Sequence, residues 1–336
     1  MLKNFFKPAL LAATLSITAI LPSMSQAAQD QLNFGIISTE SSQNLREVWT
    51  PFLNDMGKKL GVKVKAFFAP DYAGIIQGMR FNKVDVAWFG NKSAMEAVDR
   101  AGGEIFAQTV DVEGNPGYWS LLVTSKNSKL NNVDDMLANA KDLVFGNGDP
   151  NSTSGYLVPS YYVFAKNNVD PKKAFKRVLN SNHQTNLLAA ATGQVDVATN
   201  NTENLRRLEL THPDKVKNIK VIWKSPLIPA DPIVWRKNLD EATKEKIYNF
   251  FMTYGTESDA EKAKLAKLQW APFSASSNDQ LIPIRQLVLF KNRLKIENDL
   301  KFSAEERNQK LAEIDQQLNV LKRRSAALQA FAKNNS

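Results

Sequence analysis

Apolar positions along this chain switch between two periods. Residues 32–37, 62–68 and 84–89 carry short β-rich apolar runs, and the stretches between them repeat apolar residues every three to four positions. Leu45, Val48, Trp49, Leu53 and Met56 fall on one face of a helix predicted over 42–60, with shorter helices predicted over 73–81 and 93–101. That alternation is the rhythm of a sheet covered by helices on both faces. A second series follows, with strands at 119–124, 143–145 and 195–198 and helices at 154–166 and 185–191. The two series share a signature, Val84-Asp85-Val86-Ala87 and Val195-Asp196-Val197-Ala198. Each copy comes after a helix and a turn and runs into a polar segment holding asparagine (Asn91; Asn200 and Asn201). Two similar α/β lobes is the economical interpretation, and the cleft between lobes is then the default ligand site.

Residues 213–236 read as a return crossing. Short apolar runs at 221–223 and 233–235 flank Pro226, Pro229 and Pro232, and three prolines so close together make a stiff, extended connector suited to a hinge. Helices predicted over 239–254 and 260–268 rejoin the first lobe. Near the end, Ser303-Ala304-Glu305-Glu306 matches a capping box, and a long helix runs from it to about residue 331. Leu311, Ile314, Leu318, Leu321 and Leu328 keep heptad spacing, with Ser325 interrupting. That seam suits packing on the body of the protein or pairing of two chains into a homodimer, and both remain open. The expected organisation is a signal peptide at 1–27, a first lobe from 28–117 and 232–300, a second lobe with its crossings at 118–231, and a C-terminal helix at 301–336.

The first residues bear on compartment. Lys3 and Lys7 form a basic start, an apolar run spans 9–20, and Ser25-Gln26-Ala27 is a small-x-small cleavage site, so export is expected with cleavage after Ala27 or Ala28. The apolar part is too short to span a bilayer. The chain has no cysteine, which removes lipid attachment, disulfides and thiolate chemistry. These features fit a soluble protein of a Gram-negative periplasm. Loss of Lys3 and Lys7 lowers the formal charge from +9 to +7. The remaining lysines are spread among polar, acidic and apolar residues with no basic block carrying aromatics, so the excess reads as solvated surface rather than a nucleic-acid interface.

Catalytic chemistry has little to stand on. His183 and His212 are the two histidines, and neither has a second histidine or a cysteine at metal-ligand spacing. No Gly-x-Ser-x-Gly elbow, His-Glu-x-x-His or Walker loop is present. No cofactor or metal is expected. The most suggestive local feature is residues 147–155, Asn-Gly-Asp-Pro-Asn-Ser-Thr-Ser-Gly, leading directly into an apolar-periodic stretch. Three consecutive hydroxyls, Ser152, Thr153 and Ser154, thus fall where a helix begins. A helix start leaves its first N–H groups unpaired and carries about +0.5 of an elementary charge. The place suits a tetrahedral oxyanion held by neutral donors, and equally an ordinary N-cap.

Five runs in order, Phe34-Gly-Ile-Ile-Ser-Thr-Glu40, Phe68-Ala-Pro-Asp-Tyr-Ala-Gly74, Gly148-Asp-Pro-Asn-Ser-Thr-Ser-Gly155, Asn200-Asn-Thr-Glu-Asn204 and Pro226-Leu-Ile-Pro-Ala-Asp-Pro232, give the chain a resemblance to the periplasmic phosphonate-binding proteins of ABC importers. It covers nearly all of the mature chain to about Lys291. The resemblance implies a type II-like periplasmic-binding-protein fold whose two lobes close on the ligand. It also implies delivery of alkylphosphonates, 2-aminoethylphosphonate best among them, to an inner-membrane permease. Carried over residue by residue, it implies that Ser152, Thr153, Ser154, Tyr72, Tyr118 and His183 hold the phosphonate. Glu203 and Asp231 would pair with the ligand's ammonium. Without the resemblance, Tyr72 and Tyr118 read as core or strand aromatics, His183 as a cap, and the two acids as helix-start and turn residues. Trp88 and Phe89 place two aromatics near the cleft mouth, where the preferred substituent on phosphorus would be decided. Receptors for phosphate or phosphite, a periplasmic phosphoesterase, and a scaffold built on the heptad helix are the rival readings.

Overall fold

The strands sort into two main sheets joined by a small third one. In the computed structural model, which describes residues 30–334, the first sheet runs in the order Trp270–Ala275, Gly103–Asp111, Pro232–Arg236, Val86–Trp88, Gln31–Ile36, Lys63–Phe68. The second runs Ile219–Lys224, Ser120–Ser125, Val197–Asn201, Val144–Asn147, Arg177–Asn180. In each, parallel strands sit beside antiparallel ones brought in by the crossings. Apolar clusters pack against the sheets with helices outside them, the first sheet around Phe34, Trp49, Phe52 and Phe251, the second around Phe145, Val163 and Phe175. Each main sheet, with its helices, thus forms one α/β unit, as the two series in the sequence predict. The expected signal peptide at 1–27 lies outside the described residues.

The repeated signature has one physical role in both sheets. Asp85 Oδ2 accepts the Asn33 N–H at 2.8 Å while the Asp85 N–H donates to the Asn33 carbonyl at 2.9 Å. Asp196 Oδ2 accepts the Val144 N–H at 2.7 Å, and its own N–H donates to the Val144 carbonyl at 2.9 Å. In both sheets the aspartate closes the beginning of its own strand against the neighbouring parallel strand.

Chain passes between the sheets twice, and the two passages pair. Gly117–Tyr118 and Ile228–Pro229 form an antiparallel ribbon, with Tyr118 opposite Ile228 and Gly117 opposite Pro229. A side chain at Gly117 would come within 2.1 Å of the Ile228 carbonyl oxygen, so the close approach of the two passages depends on glycine. Pro226, Pro229 and Pro232 lie on or beside the returning passage, as their spacing predicts.

Several elements differ from expectation for identifiable reasons. Strand Trp270–Ala275 was not anticipated; it contains Pro272 and its register slips between Ala271 and Ser274, which places it at an edge. Gly103–Asp111 and Arg177–Asn180 carry charged and polar residues that blur the strand pattern. Helix Thr202–Thr211 buries only Leu208, too little for a periodic signal. The helix expected over 154–166 is wound wide: Thr153–Leu157 and Ser160–Phe164 are π-helical, with the Leu157 N–H reaching back five residues to the Ser152 carbonyl at 3.1 Å. Pro159, between the two segments, has no N–H to give an α-helical ladder, and π turns favour functional positions.

Two helices end the chain, Ile282–Glu297 and Ala304–Asn334. The capping box forms reciprocally: the Ser303 N–H donates to Glu306 at 2.9 Å and the Glu306 N–H to Ser303 Oγ at 3.1 Å. Ile314 is buried and Leu311, Leu318, Leu321 and Ser325 are half-buried, whereas Leu328 is exposed. The long helix packs along Ile282–Glu297 of the same chain, tied by Arg293 to Asp315 at 2.9 Å and by Arg324 to Asp279 at 2.6 Å. No described helix is long and apolar enough to cross a membrane.

Candidate functional site

Five helices begin around one cavity of about 260 Å³ between the two sheets. Tyr72 opens helix Tyr72–Arg80, Gly90 caps Asn91–Arg100, Ser152 caps the π-helical turn, His183 opens His183–Thr192, and Glu203 lies in the first turn of Thr202–Thr211. The cavity is thus surrounded by the positive ends of helix dipoles. All eight residues singled out from the sequence, Tyr72, Tyr118, Ser152, Thr153, Ser154, His183, Glu203 and Asp231, line it together.

At one end the three hydroxyls share a common arrangement. Ser152 Oγ accepts the Gly155 N–H at 3.0 Å, Thr153 Oγ1 accepts the Lys92 N–H at 2.8 Å, and Ser154 Oγ accepts Asn201 Nδ2 at 3.0 Å. Each oxygen spends a lone pair on a nitrogen donor, which leaves its own proton to give. Three hydroxyls with protons to give thus line the cavity at a helix start, a donor set suited to an oxyanion. The turn is closed by the Gly148 N–H donating to the Gly155 carbonyl at 3.0 Å, and a side chain at Gly148 would meet that carbonyl oxygen at 2.5 Å.

His183 is buried, and burial pushes its pKa down to about 4, so the ring is neutral. Nε2 lies 3.3 Å from Ser152 Oγ, while Nδ1 is buried without a partner. Placing the single ring proton on Nε2 avoids an orphaned buried N–H and aims it at the serine. Tyr72 is also buried, and burial, then Asp149 and Asp231, hold its phenol un-ionised.

At the other end sit two carboxylates. Asp231 accepts the Tyr118 hydroxyl at 2.9 Å and Trp88 Nε1 at 3.2 Å, so in this arrangement the Tyr118 proton is directed to the acid. Burial raises Asp231 to about 7 despite those two donors. Burial and the neighbouring charge of Asp231 raise Glu203 to about 8. No lysine or arginine lines the cavity. Among the described residues no group of acids and histidines is arranged to hold a metal ion.

Contacts between the two sheets' structures surround the cavity. The Tyr72 N–H donates to Asp149 at 3.2 Å and the Gln184 N–H to the Thr39 carbonyl at 3.2 Å. Arg206 pairs with Asp111 at 2.9 Å and with Glu113 at 2.6 Å and donates to Gln269 at 2.6 Å, while Arg207 pairs with Glu40. These contacts hold the two sheets' structures together around the cavity.

Sequence reasoning gave no role to Thr39, Asn201 and Asn204, which also line the cavity. The signal for Asn201 was present: it follows the second repeated signature and caps helix Thr202–Thr211 through the Asn204 N–H at 2.7 Å. Its simultaneous bond to Ser154 depends on tertiary placement.

Comparison with known proteins bears on the family and the fold. Residues 34–281 match the family model described as the periplasmic substrate-binding protein of a phosphonate ABC transporter. The chain is 62% identical over 315 residues to the phosphonates-binding periplasmic protein of Escherichia coli K12, covering 94% of this chain and 93% of that one. It superimposes on the crystal structure of a binding-protein component of an ABC phosphonate transporter from Pseudomonas aeruginosa with a TM-score of 0.88, at 64% identity, over 90% of this chain and all of the other. A Prochlorococcus marinus protein solved with methylphosphonate shares the fold at a TM-score of 0.69 and 23% identity, over 77% of this chain and 97% of its own. The chain belongs to the family of periplasmic substrate-binding proteins of phosphonate ABC transporters, which bind a solute and catalyse no reaction.

Proposed function

We propose that this receptor captures alkylphosphonates between its lobes, 2-aminoethylphosphonate best among them, and presents them to its inner-membrane permease after removal of residues 1–27. The lobes are residues 28–117 with 232–300, and 118–231, with 301–336 as a helix laid on the body. Ser152, Thr153, Ser154, Tyr72 and His183 hold the phosphonate oxygens, joined by Tyr118 once a ligand cation relieves it of Asp231. Glu203 and Asp231 pair with the ammonium. The single observation that carries this reading is the placement of two buried acids without an ion pair in the same cavity as three hydroxyls, with no lysine or arginine among the described residues lining it. A bare oxyanion gives those acids no cation, so they must either stay protonated or be left charged and unpaired; an aminoalkylphosphonate satisfies both ends. Pairing of two chains through the terminal helix forms no part of this reading, because its seam lies on its own chain.

Calorimetric titration of the mature protein with 2-aminoethylphosphonate, methylphosphonate and phosphate tests it. Tight binding of the first and weaker binding of the other two is the expected result. Preference for phosphate, or equal affinity for the amine-bearing and amine-free phosphonates, rejects it.

A further inference from the structure

Beyond Glu203 the cleft does not end. A second pocket, about 440 Å³ including its mouth, shares Thr39, Trp88, Glu203 and Asn204 with the first and continues away from the hydroxyl turn. We propose that this annex receives apolar substituents on the ligand's nitrogen, so that the receptor takes N-alkylated aminoalkylphosphonates, N-methylated and quaternary forms included, as well as the primary amine. The inference rests on the reading that Glu203 and Asp231 face the ammonium.

The chemistry of the annex differs from that of the hydroxyl end. Half of its lining is apolar, Leu45, Val48 and Leu268 beside three indoles, Trp49, Trp88 and Trp270, and Gln269 and the Arg207–Glu40 pair also line it. The rings incline to one another: Trp49 and Trp88 have centroids 5.5 Å apart at 35°, Trp88 and Trp270 5.6 Å at 68°, Trp49 and Trp270 5.3 Å at 80°. Trp88 is held by its donation to Asp231, so one indole borders both pockets and its nitrogen is fixed on the acid. Of the annex's two acids, Glu40 is already paired with Arg207, and Glu203 has no ion pair among the described residues. With the Arg207 charge taken up by Glu40, a cation entering here meets one open acid, Glu203, beside aromatic and aliphatic side chains.

Such a site suits a particular class of cation. A primary ammonium needs donors satisfied and gains little from an apolar wall. An alkylated ammonium carries its charge on a larger, weakly hydrated surface, gives up hydrogen bonds, and is held by carboxylate charge and indole faces together. The annex supplies both at the point where the ligand's nitrogen is placed by the carboxylate pair.

The test is calorimetry of the full mature chain with four ligands: 2-aminoethylphosphonate, its N-methyl and N,N,N-trimethyl derivatives, and 3,3-dimethylbutylphosphonate, the uncharged carbon counterpart of the trimethyl form. The two methylated amines are expected within about tenfold of the primary amine, and the carbon counterpart about a hundredfold weaker, since it leaves the carboxylates uncompensated. Val48→Phe, which narrows the annex, is expected to raise the trimethyl-to-primary Kd ratio by about tenfold or more. A primary amine bound tightly with the trimethyl form lost altogether overturns the annex and leaves the parent reading intact. A primary amine bound no better than methylphosphonate overturns both. Should Val48→Phe fail to fold, the four-ligand comparison on the unsubstituted protein decides alone.

Discussion

Tyr118 donates its phenolic proton to Oδ1 of Asp231 at 2.9 Å; Tyr118 ends one of the paired passages that join the sheets and Asp231 lies two residues past the other. The acid proposed to read the ligand's amine is therefore anchored beside the crossing between the sheets. Ligand charge and lobe geometry meet at one carboxylate, so closure and amine recognition are expected to depend on each other.

Replacing Asp231 with asparagine removes the charge and keeps the shape. Loss of a buried charged partner costs about 2–5 kcal/mol, so Asp231→Asn is expected to weaken 2-aminoethylphosphonate by a factor of about thirty to several thousand. Methylphosphonate is expected to change by less than about fivefold, because it has no cation to lose. Titration calorimetry reads both numbers; equal losses mean that Asp231 does not read the amine.

The hydroxyl turn is expected to behave oppositely. Each hydrogen bond to a charged group is worth about 1.5–3 kcal/mol, so Ser152→Ala with Thr153→Val is expected to weaken every phosphonate by a factor of about a hundred or more, whatever its substituent. Unchanged affinities place the anion elsewhere.

Acidity of the empty, closed cleft gives a pH signature. Asp231 and Glu203 hold their protons there up to about 7 and about 8, whereas carboxylates in water lose them near about 4. Protonation therefore favours the closed form, fully below about pH 4, and that support is lost progressively as pH rises from about 4 to 8. Small-angle scattering of ligand-free protein is expected to show a radius of gyration that grows over this range. Saturating 2-aminoethylphosphonate is expected to abolish the growth, and Glu203→Gln to reduce it. A flat profile without ligand shows that the two acids are not buried together in any populated free form.

Closure also rests on Arg206, whose guanidinium bridges Asp111, Glu113 and Gln269 across the cleft. Arg206→Ala is expected to raise the dissociation rate for all phosphonates by about tenfold while leaving their ranking unchanged, since a half-buried interlobe pair acts mainly on release. Stopped-flow displacement measures it; a change in ranking shows that Arg206 acts on the ligand rather than on the lobes.

How much of this was legible beforehand follows from the range of each interaction. Periodicity placed strand Gln31–Ile36, helix Ser42–Leu60 and both copies of the repeated signature close to where they stand, because burial of one face is written into local spacing. The capping box at Ser303 was readable because it involves residues three apart. Edge strand Trp270–Ala275 and helix Thr202–Thr211 escaped notice because one is broken by Pro272 and a bulge, and the other is held by caps and cross-cleft arginines more than by buried apolar residues.

By itself the sequence determined the kinds of chemistry on hand: hydroxyls at a helix start, two acids, two histidines and no cysteine. Tertiary structure alone decided that Ser152 and Asp231, 79 positions apart, line one cavity, that the Tyr118 proton goes to Asp231, and that none of the described lysines and arginines lines it. The reason is physical. Residue types and short-range caps are local properties, whereas desolvation and the pairing of buried charge depend on which distant segments close over a group. In this protein the two-lobed closure makes that choice.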